Sequence, residues 1–186
     1  EHIVRENEPL AGFTRLRIGG VAEYFGEPTN LDELIDLIRR ADAEALPIRL
    51  IGGGSNLLIS DEGVPGLVLH LSAPHFSQIR VEDNRLIVGG GAQLSHFVST
   101  AVREGFSGPE QLVGIPGTIG GALHENTGTS NADISSWVQS VTVVTRTGDV
   151  LERAPDEMNF AYRQSSLNEL VILEATFQFD REDSAD

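Results

Sequence analysis

Ile51-Gly52-Gly53-Gly54-Ser55-Asn56-Leu57-Leu58 is the stretch on which the reading of this chain turns. It grows out of Ile48–Ile51, a short apolar run behind Pro47 that reads as a buried strand. Three consecutive glycines at a strand end permit positive φ angles. They also remove the side chains that would keep a ligand from the backbone. Successive amide hydrogens can then converge on phosphate oxygens, and Ser55 and Asn56 add neutral donors. The Gly-Lys-Ser/Thr ending of a nucleoside-triphosphate loop is missing, and no acidic residue stands where the G-x-G-x-x-G dinucleotide fingerprint needs one. The competing reading is a tight turn with no ligand.

A second glycine-rich stretch lies further along. Gly105-Phe106-Ser107-Gly108-Pro109-Glu110 leads into Leu112-Val113-Gly114-Ile115-Pro116-Gly117-Thr118-Ile119-Gly120-Gly121-Ala122. This is poor material for an ordinary helix. It suits a backbone that passes close to a flat ring or a phosphate. Asn126 and Gly128 extend it with another amide and another flexible position. A long surface loop is the alternative, opposed by apolar Ile115, Ile119, Ala122 and Leu123.

Around these loops the periodicity alternates between strand and helix. Residues 1–12 read as an extended lead-in, residues 15–18 as a strand, and Val21–Gly26 as the next strand after a Gly19-Gly20 turn. Thr29 or Asn30 caps a helix over Leu31–Ala43, with Leu31, Leu34, Ile35, Leu37 and Ile38 at helical spacing and Asp32-Glu33 at the favourable end. Residues 67–69 form a strand. Residues 79–81 and 86–88 form a hairpin about Asp83-Asn84. Leu94–Arg103 is a second helix with Leu94, Phe97, Val98 and Ala101 facing inward. Residues 138–146 and 170–179 read as long antiparallel strands, and residues 180–186 as an acidic tail. The expected class is α+β: one subdomain over residues 1–72, a second over residues 73–186, and the two loops facing each other at their junction.

Composition narrows the function. A length of 186 residues with 40% hydrophobic content supports one domain or two small ones. There is no cysteine, and His2, His70, His75, His96 and His124 show no ligand spacing, so no metal is expected. The net charge of −15 argues against nucleic acid, whose phosphates are met by Lys and Arg. It does not argue against a small anionic cofactor, because backbone N–H groups can hold a pyrophosphate without cations. No run approaches the roughly 20 apolar residues of a membrane span. Trp137 and the phenylalanines are assigned to packing, and His96 to the surface.

Taken in order, the blocks carry a specific likeness. Leu10-Ala11-Gly12-Phe13-Thr14, Ile18-Gly19-Gly20-Val21-Ala22, the first loop, Ser107-Gly108-Pro109-Glu110, the second loop and Phe160-Ala161-Tyr162-Arg163-Gln164-Ser165 span almost the whole chain. In them the sequence resembles the UDP-N-acetylenolpyruvoylglucosamine reductase family, flavoenzymes of peptidoglycan synthesis. The resemblance implies an FAD-binding module of the vanillyl-alcohol-oxidase type. In it Ile51, Gly52, Gly53, Gly54, Ser55, Asn56, Leu57 and Leu58 would hold the pyrophosphate. Gly114, Ile115, Pro116, Gly117, Thr118, Gly120, Gly121 and Ala122, with Asn126 and Gly128, would run beside the ribityl chain and isoalloxazine. Ile172 aligns with a position at the adenine end.

The same resemblance implies NADPH as hydride donor and UDP-N-acetylglucosamine enolpyruvate as substrate. Arg163 would be catalytic, stabilising the developing enolate, with Tyr162 beside it on the substrate side. Read alone, the alternative for Arg163 is a surface salt bridge in this acid-rich chain. A cytoplasmic monomer serving cell-wall biogenesis and cell division is implied. The family carries a further carboxy-terminal domain with the protonating serine and much of the nucleotide-sugar site. That domain is expected to be absent here, which would leave the chain incomplete for turnover. His124 and Glu125 stand where the family is less polar. On an extended segment they would point opposite ways, one inward and one solvated, without catalytic pairing. Two other functions stay open: an FAD-dependent oxidase of a small alcohol or hydroxy acid, and a non-catalytic nucleotide-binding homologue.

Overall fold

The computed structural model describes residues 3–180. His2 and all but the first residue of the acidic tail lie outside the described residues. The first sheet holds β1 (Val4–Pro9), β2 (Val21–Gly26), β3 (Ile48–Ile51) and β4 (Val64–His70) in the order β1-β2-β4-β3. β1 runs antiparallel to β2, and β4 runs parallel to both β2 and β3. Helix α1 (Leu31–Ala43) supplies the crossover from β2 to β3, parallel strands with β4 between them. Asn30 caps it by accepting from the Glu33 N–H at 3.0 Å, while the Glu33 carboxylate takes the Thr29 N–H at 2.7 Å. Alternation along β4 then decides the packing: Leu67 and Leu69 join Leu34 and Ile38 of α1, and Val68 joins Leu10, Phe25 and Ile51 on the other face.

The second sheet is antiparallel throughout. It contains β5 (Ile79–Glu82), β6 (Arg85–Gly89), β7 (Val138–Val144), β8 (Val150–Arg153) and, at its centre, β11 (Val171–Gln178), in the order β5-β6-β11-β7-β8. Helix α2 (Leu94–Arg103) buries Leu94, Phe97, Val98 and Ala101 in the core of this sheet. Strands β9 (Phe160–Ala161) and β10 (Gln164–Ser165) make a separate small hairpin. The apolar cluster under α1 also contains Val144 and Val171, so residues of both sheets share one core.

Three sequence expectations need correction. Residues 15–18 are not a strand. They form a turn in which Arg17 has φ +55° and the alternating Leu16 and Ile18 stay 62% and 48% exposed, with no face to bury. The lead-in contains β1 instead, a charged edge strand that ends in Pro9, a composition that discourages further pairing. The glycine-rich second loop does form a helix, α3 (Ile119–His124), because Ile119, Ala122 and Leu123 are buried and tertiary packing overrides poor propensity.

At the end of β2, the Glu27 carboxylate accepts from Arg5 at 2.9 Å and the Ser72 hydroxyl at 3.0 Å, and it lies 2.9 Å from His70 Nδ1. Burial alone would raise this carboxyl, but hydrogen bonds from His70, Ser72 and Arg5 outweigh it and hold it below the usual glutamate range. A depressed folded value means stability that is present above the unfolded pKa and lost as pH falls through the folded one. Glu27→Gln is therefore expected to cost about 1 kcal/mol near neutrality and nothing once the wild-type carboxyl is protonated. Urea midpoints followed into acid should converge; parallel curves would contradict the assignment.

Candidate functional site

β3 delivers the first loop, residues 52–58, to the end of the parallel strands, the edge at which open α/β sheets bind ligands. The second loop arrives from the other sheet's side, and the two touch. Ser55 Oγ lies 3.5 Å from the Pro116 carbonyl it donates to. A methyl group added at Gly52 would stand 2.6 Å from the Thr118 hydroxyl oxygen, and one at Gly53 would stand 3.2 Å from the Gly117 Cα. The Asn56 amide donates to the Glu125 carboxylate at 2.7 Å, at the far end of α3. The loops thus meet at one crevice, tightest at Gly52, where a Cβ would clash with the Thr118 hydroxyl.

The crevice wall carries unspent donors. Among the described residues, the amides of Gly53, Ser55, Asn56, Gly117, Thr118 and Gly121 donate to no protein acceptor. Neither loop contains a Lys or Arg. What these walls offer an anion is therefore a set of oriented neutral N–H groups, which suits a buried pyrophosphate. The second loop is held rigid from behind: Leu94 N–H donates to Gly117 O at 2.9 Å, Ile119 N–H to Ala92 O at 2.9 Å and Gly120 N–H to Gly90 O at 2.8 Å. Residues 90–94 were not singled out from the sequence as part of the site, although the glycine run at residues 89–91 was the available signal.

Not every glycine faces the crevice. Gly54, at φ +59°, lies against the Phe13 carbonyl, and its own carbonyl accepts from Arg15 N–H at 3.0 Å. Gly128 is packed on Asp133 and forms a bridge with it. These two are demanded by the protein's own backbone. Gly114 and Gly121 have open space or only ordinary contacts. Leu57 and Leu58 are exposed on the rim, Ile115 packs against the core, Pro116 meets Ser55, and Ala122 is buried beneath α3. Ile172 is buried in β11, with its carbonyl against Gly90 and close to Gly120.

Helix α3 ends in a Schellman arrangement: Thr127 N–H bonds to Ala122 O at 2.7 Å, Asn126 N–H to Leu123 O at 3.2 Å, and Asn126 takes φ +45°. The Asn126 side chain is 2% exposed and donates to Ala161 O at 2.9 Å, while its Oδ1 has no partner. A buried amide oxygen without a donor is costly, and a hydroxyl-bearing ligand would relieve it.

The same helix end carries the β9–β10 hairpin, because Ser165 Oγ donates to His124 O at 2.8 Å. Tyr162 and Arg163 form the hairpin's tip. Arg163 has φ +55°, its guanidinium stands 5.8 Å from the Tyr162 ring, and it makes no salt bridge among the described residues. His124 and Glu125 sit on a helix end rather than an extended segment. They diverge all the same: the His124 ring turns to Leu167 O at 3.1 Å and Glu125 turns to Asn56. The Asn56–Glu125 contact, 69 residues apart, had no signal in the sequence.

A hollow of about 470 Å³ lies beside Trp137, Gly108 and Phe179, lined by no residue of residues 51–58 or 114–122. Trp137 packs against the core there, close to where a Cβ on Gly108 would be. Among the described residues no cluster of His, Asp and Glu could hold a metal ion, and no helix is long and apolar enough to cross a membrane.

Comparison with known proteins agrees with this geometry. The family model described as FAD binding domain matches residues 22–153. The UDP-N-acetylenolpyruvoylglucosamine reductase of Rhodopirellula baltica is 41% identical over 182 residues, covering 98% of this chain and 60% of the relative. The chain thus spans about 60% of the length of this relative. The crystal structure of the corresponding reductase from Thermus caldophilus superposes with a TM-score of 0.78 at 32% identity, over 95% of this chain and 62% of that one. A VAO-type flavoprotein from Myceliophthora thermophila superposes with a TM-score of 0.63 at 17% identity, over 87% of this chain and 32% of that one, which speaks to the fold alone. The fold is an FAD-binding module of the vanillyl-alcohol-oxidase type.

Proposed function

The chain belongs to the FAD binding domain family, and from that premise we propose that it is the flavin-holding part of an NADPH-dependent reductase that converts UDP-N-acetylglucosamine enolpyruvate to UDP-N-acetylmuramate in the cytoplasm. One observation carries the reading: two glycine-rich loops from different sheets touch, and their shared wall presents amides with no protein acceptor. FAD bound there supplies two-electron redox chemistry.

The chain's own residues divide the work. Gly53, Ser55 and Asn56 offer the first set of N–H groups to the pyrophosphate, and Gly117, Thr118 and Gly121 the second. Neutral donors fixed by the fold need no reorganisation when the anion arrives. Gly52 keeps the walls close, and Gly54 and Gly128 shape the loops from behind. Gly114, Ile115, Pro116, Gly120 and Ala122 set the path of the second loop, and Leu57 and Leu58 cover its rim. Asn126 Oδ1 offers an acceptor to a ribityl hydroxyl, and the Ile172 backbone supports the loop behind it. Arg163, a cation that makes no salt bridge among the described residues and stands at an exposed hairpin tip, orients the enolpyruvyl carboxylate and stabilises charge developing on the substrate, with Tyr162 beside it.

The test is spectroscopic. Chain incubated with FAD and passed through a desalting column is expected to keep the visible flavin bands and quenched flavin fluorescence, and NADPH is expected to bleach them. A colourless protein would refute the reading at its first step. Retained colour with rapid oxygen-coupled turnover of an alcohol or hydroxy acid would redirect it to an oxidase.

A further inference from the structure

We propose that Glu125 is an internal anion that competes with the cofactor's phosphates for the first loop, so that its charge sets how tightly FAD is held. The inference rests on the FAD reading above. Asn56 belongs to the first loop, and its side-chain amide is spent on Glu125 Oε1 at 2.7 Å. Glu125 is the C-cap of α3, so its side chain lays a carboxylate across the crevice from one loop to the other. A carboxylate only accepts, as does a phosphate, so the Asn56 amide hydrogen given to Glu125 is withheld from the phosphate, while the second hydrogen of the same NH2 group is not.

The charge is not neutralised locally. Glu125 forms no salt bridge among the described residues, whereas Glu27 and Glu169 are each met by an arginine. Nor does the helix account for it, since a negative charge at a helix C-terminus meets the unfavourable end of the dipole. Its cap function runs through the backbone, where the Glu125 N–H donates to Gly121 O at 3.1 Å, and any residue could do that. What remains specific to glutamate is the carboxylate facing Asn56. Two anions brought to one wall of neutral donors repel each other at short range, and protein and salt screen that repulsion only in part.

Two substitutions separate charge from hydrogen bonding. Glu125→Gln keeps an acceptor for Asn56 and removes the charge, while Glu125→Ala removes both. FAD affinity of the whole chain is read by fluorescence quenching, with circular dichroism melts confirming that each variant is folded. Both variants are expected to bind FAD about tenfold more tightly than wild type at low ionic strength, with the gap narrowing as salt is added. Equal affinity for wild type and Glu125→Gln would overturn the proposal. So would weaker binding by Glu125→Ala, which would make Glu125 a positioning partner of Asn56 instead. Wild type that takes up no FAD at all would overturn the underlying reading and this one with it.

Discussion

Gly52→Ala is expected to lower FAD affinity about a hundredfold, equivalent to roughly 2.7 kcal/mol, while leaving the chain folded. The position is half-buried at the mouth of the first loop, and an added methyl carbon would lie 2.6 Å from the Thr118 hydroxyl oxygen. That is inside contact distance, so one wall of the crevice has to move. The movement falls on the amides of Gly53 and Thr118, which the proposed pyrophosphate site uses from opposite sides. The steric cause has its own check. In Gly52→Ala combined with Thr118→Ala the hydroxyl is gone and the nearest remaining Thr118 carbon is 3.7 Å away, an ordinary contact. Affinity in the double variant is expected to exceed that of Gly52→Ala alone. Titration of wild type, Gly52→Ala, Thr118→Ala and the double variant with FAD decides it, and simple additivity of two losses would point away from a clash.

Phe177→Ala is expected to cost about 4 kcal/mol, read as a fall of about 10 °C in melting temperature. Phe177 is fully buried in β11, the central strand, opposite Leu86 of β6 and Val138 of β7. Its ring centroid lies 4.6 Å from that of Phe97 on α2. Removing the ring empties a site walled by two strands and a helix that cannot close around it. A fold of this size is stabilised by only about 5–15 kcal/mol, so roughly a quarter or more of the margin is at stake. Val81→Ala, on the same sheet but 40% exposed, should shift the melting temperature little. Similar losses at both positions would show that the sheet is not packed as described.

The helices were legible because their spacing has one solution. Leu31–Ala43 and Leu94–Arg103 carry apolar residues at helical intervals with polar ends, and both form over those residues. β3 and the antiparallel pair β7 and β11 were equally readable as apolar runs between turns. Residues 15–18 misled because alternation marks a strand only when one face has a core to meet, and Leu16 and Ile18 have none. Residues 4–9 went the other way: a polar segment is a strand because β2 leaves an open edge. The β9–β10 hairpin, whose strands have two residues each, is held by its bonds to the end of α3, from Asn126 to Ala161 O and from Ser165 to His124 O, which no local pattern announces. In the candidate site, glycine runs marked where the loops are but not why each glycine is needed, since Gly54 and Gly128 answer to Phe13 and Asp133, distant in the chain or hidden by the fold.

The shared core under α1 has a consequence for how variants of this protein are interpreted. Leu34 and Ile38 of α1 and Leu69 of the first sheet interlock with Val144 and Val171 of the second, and the first loop leaves β3 of the first sheet while the second loop is braced by residues 90–94, which follow β6 of the second. Thermodynamic linkage then runs in both directions: a ligand gripping both loops clamps that seam, and slack in the seam lets the loops drift. A truncation such as Val171→Ala would register as a cofactor-binding defect in any screen that scores colour alone, although the residue is sealed inside the protein and belongs to neither loop.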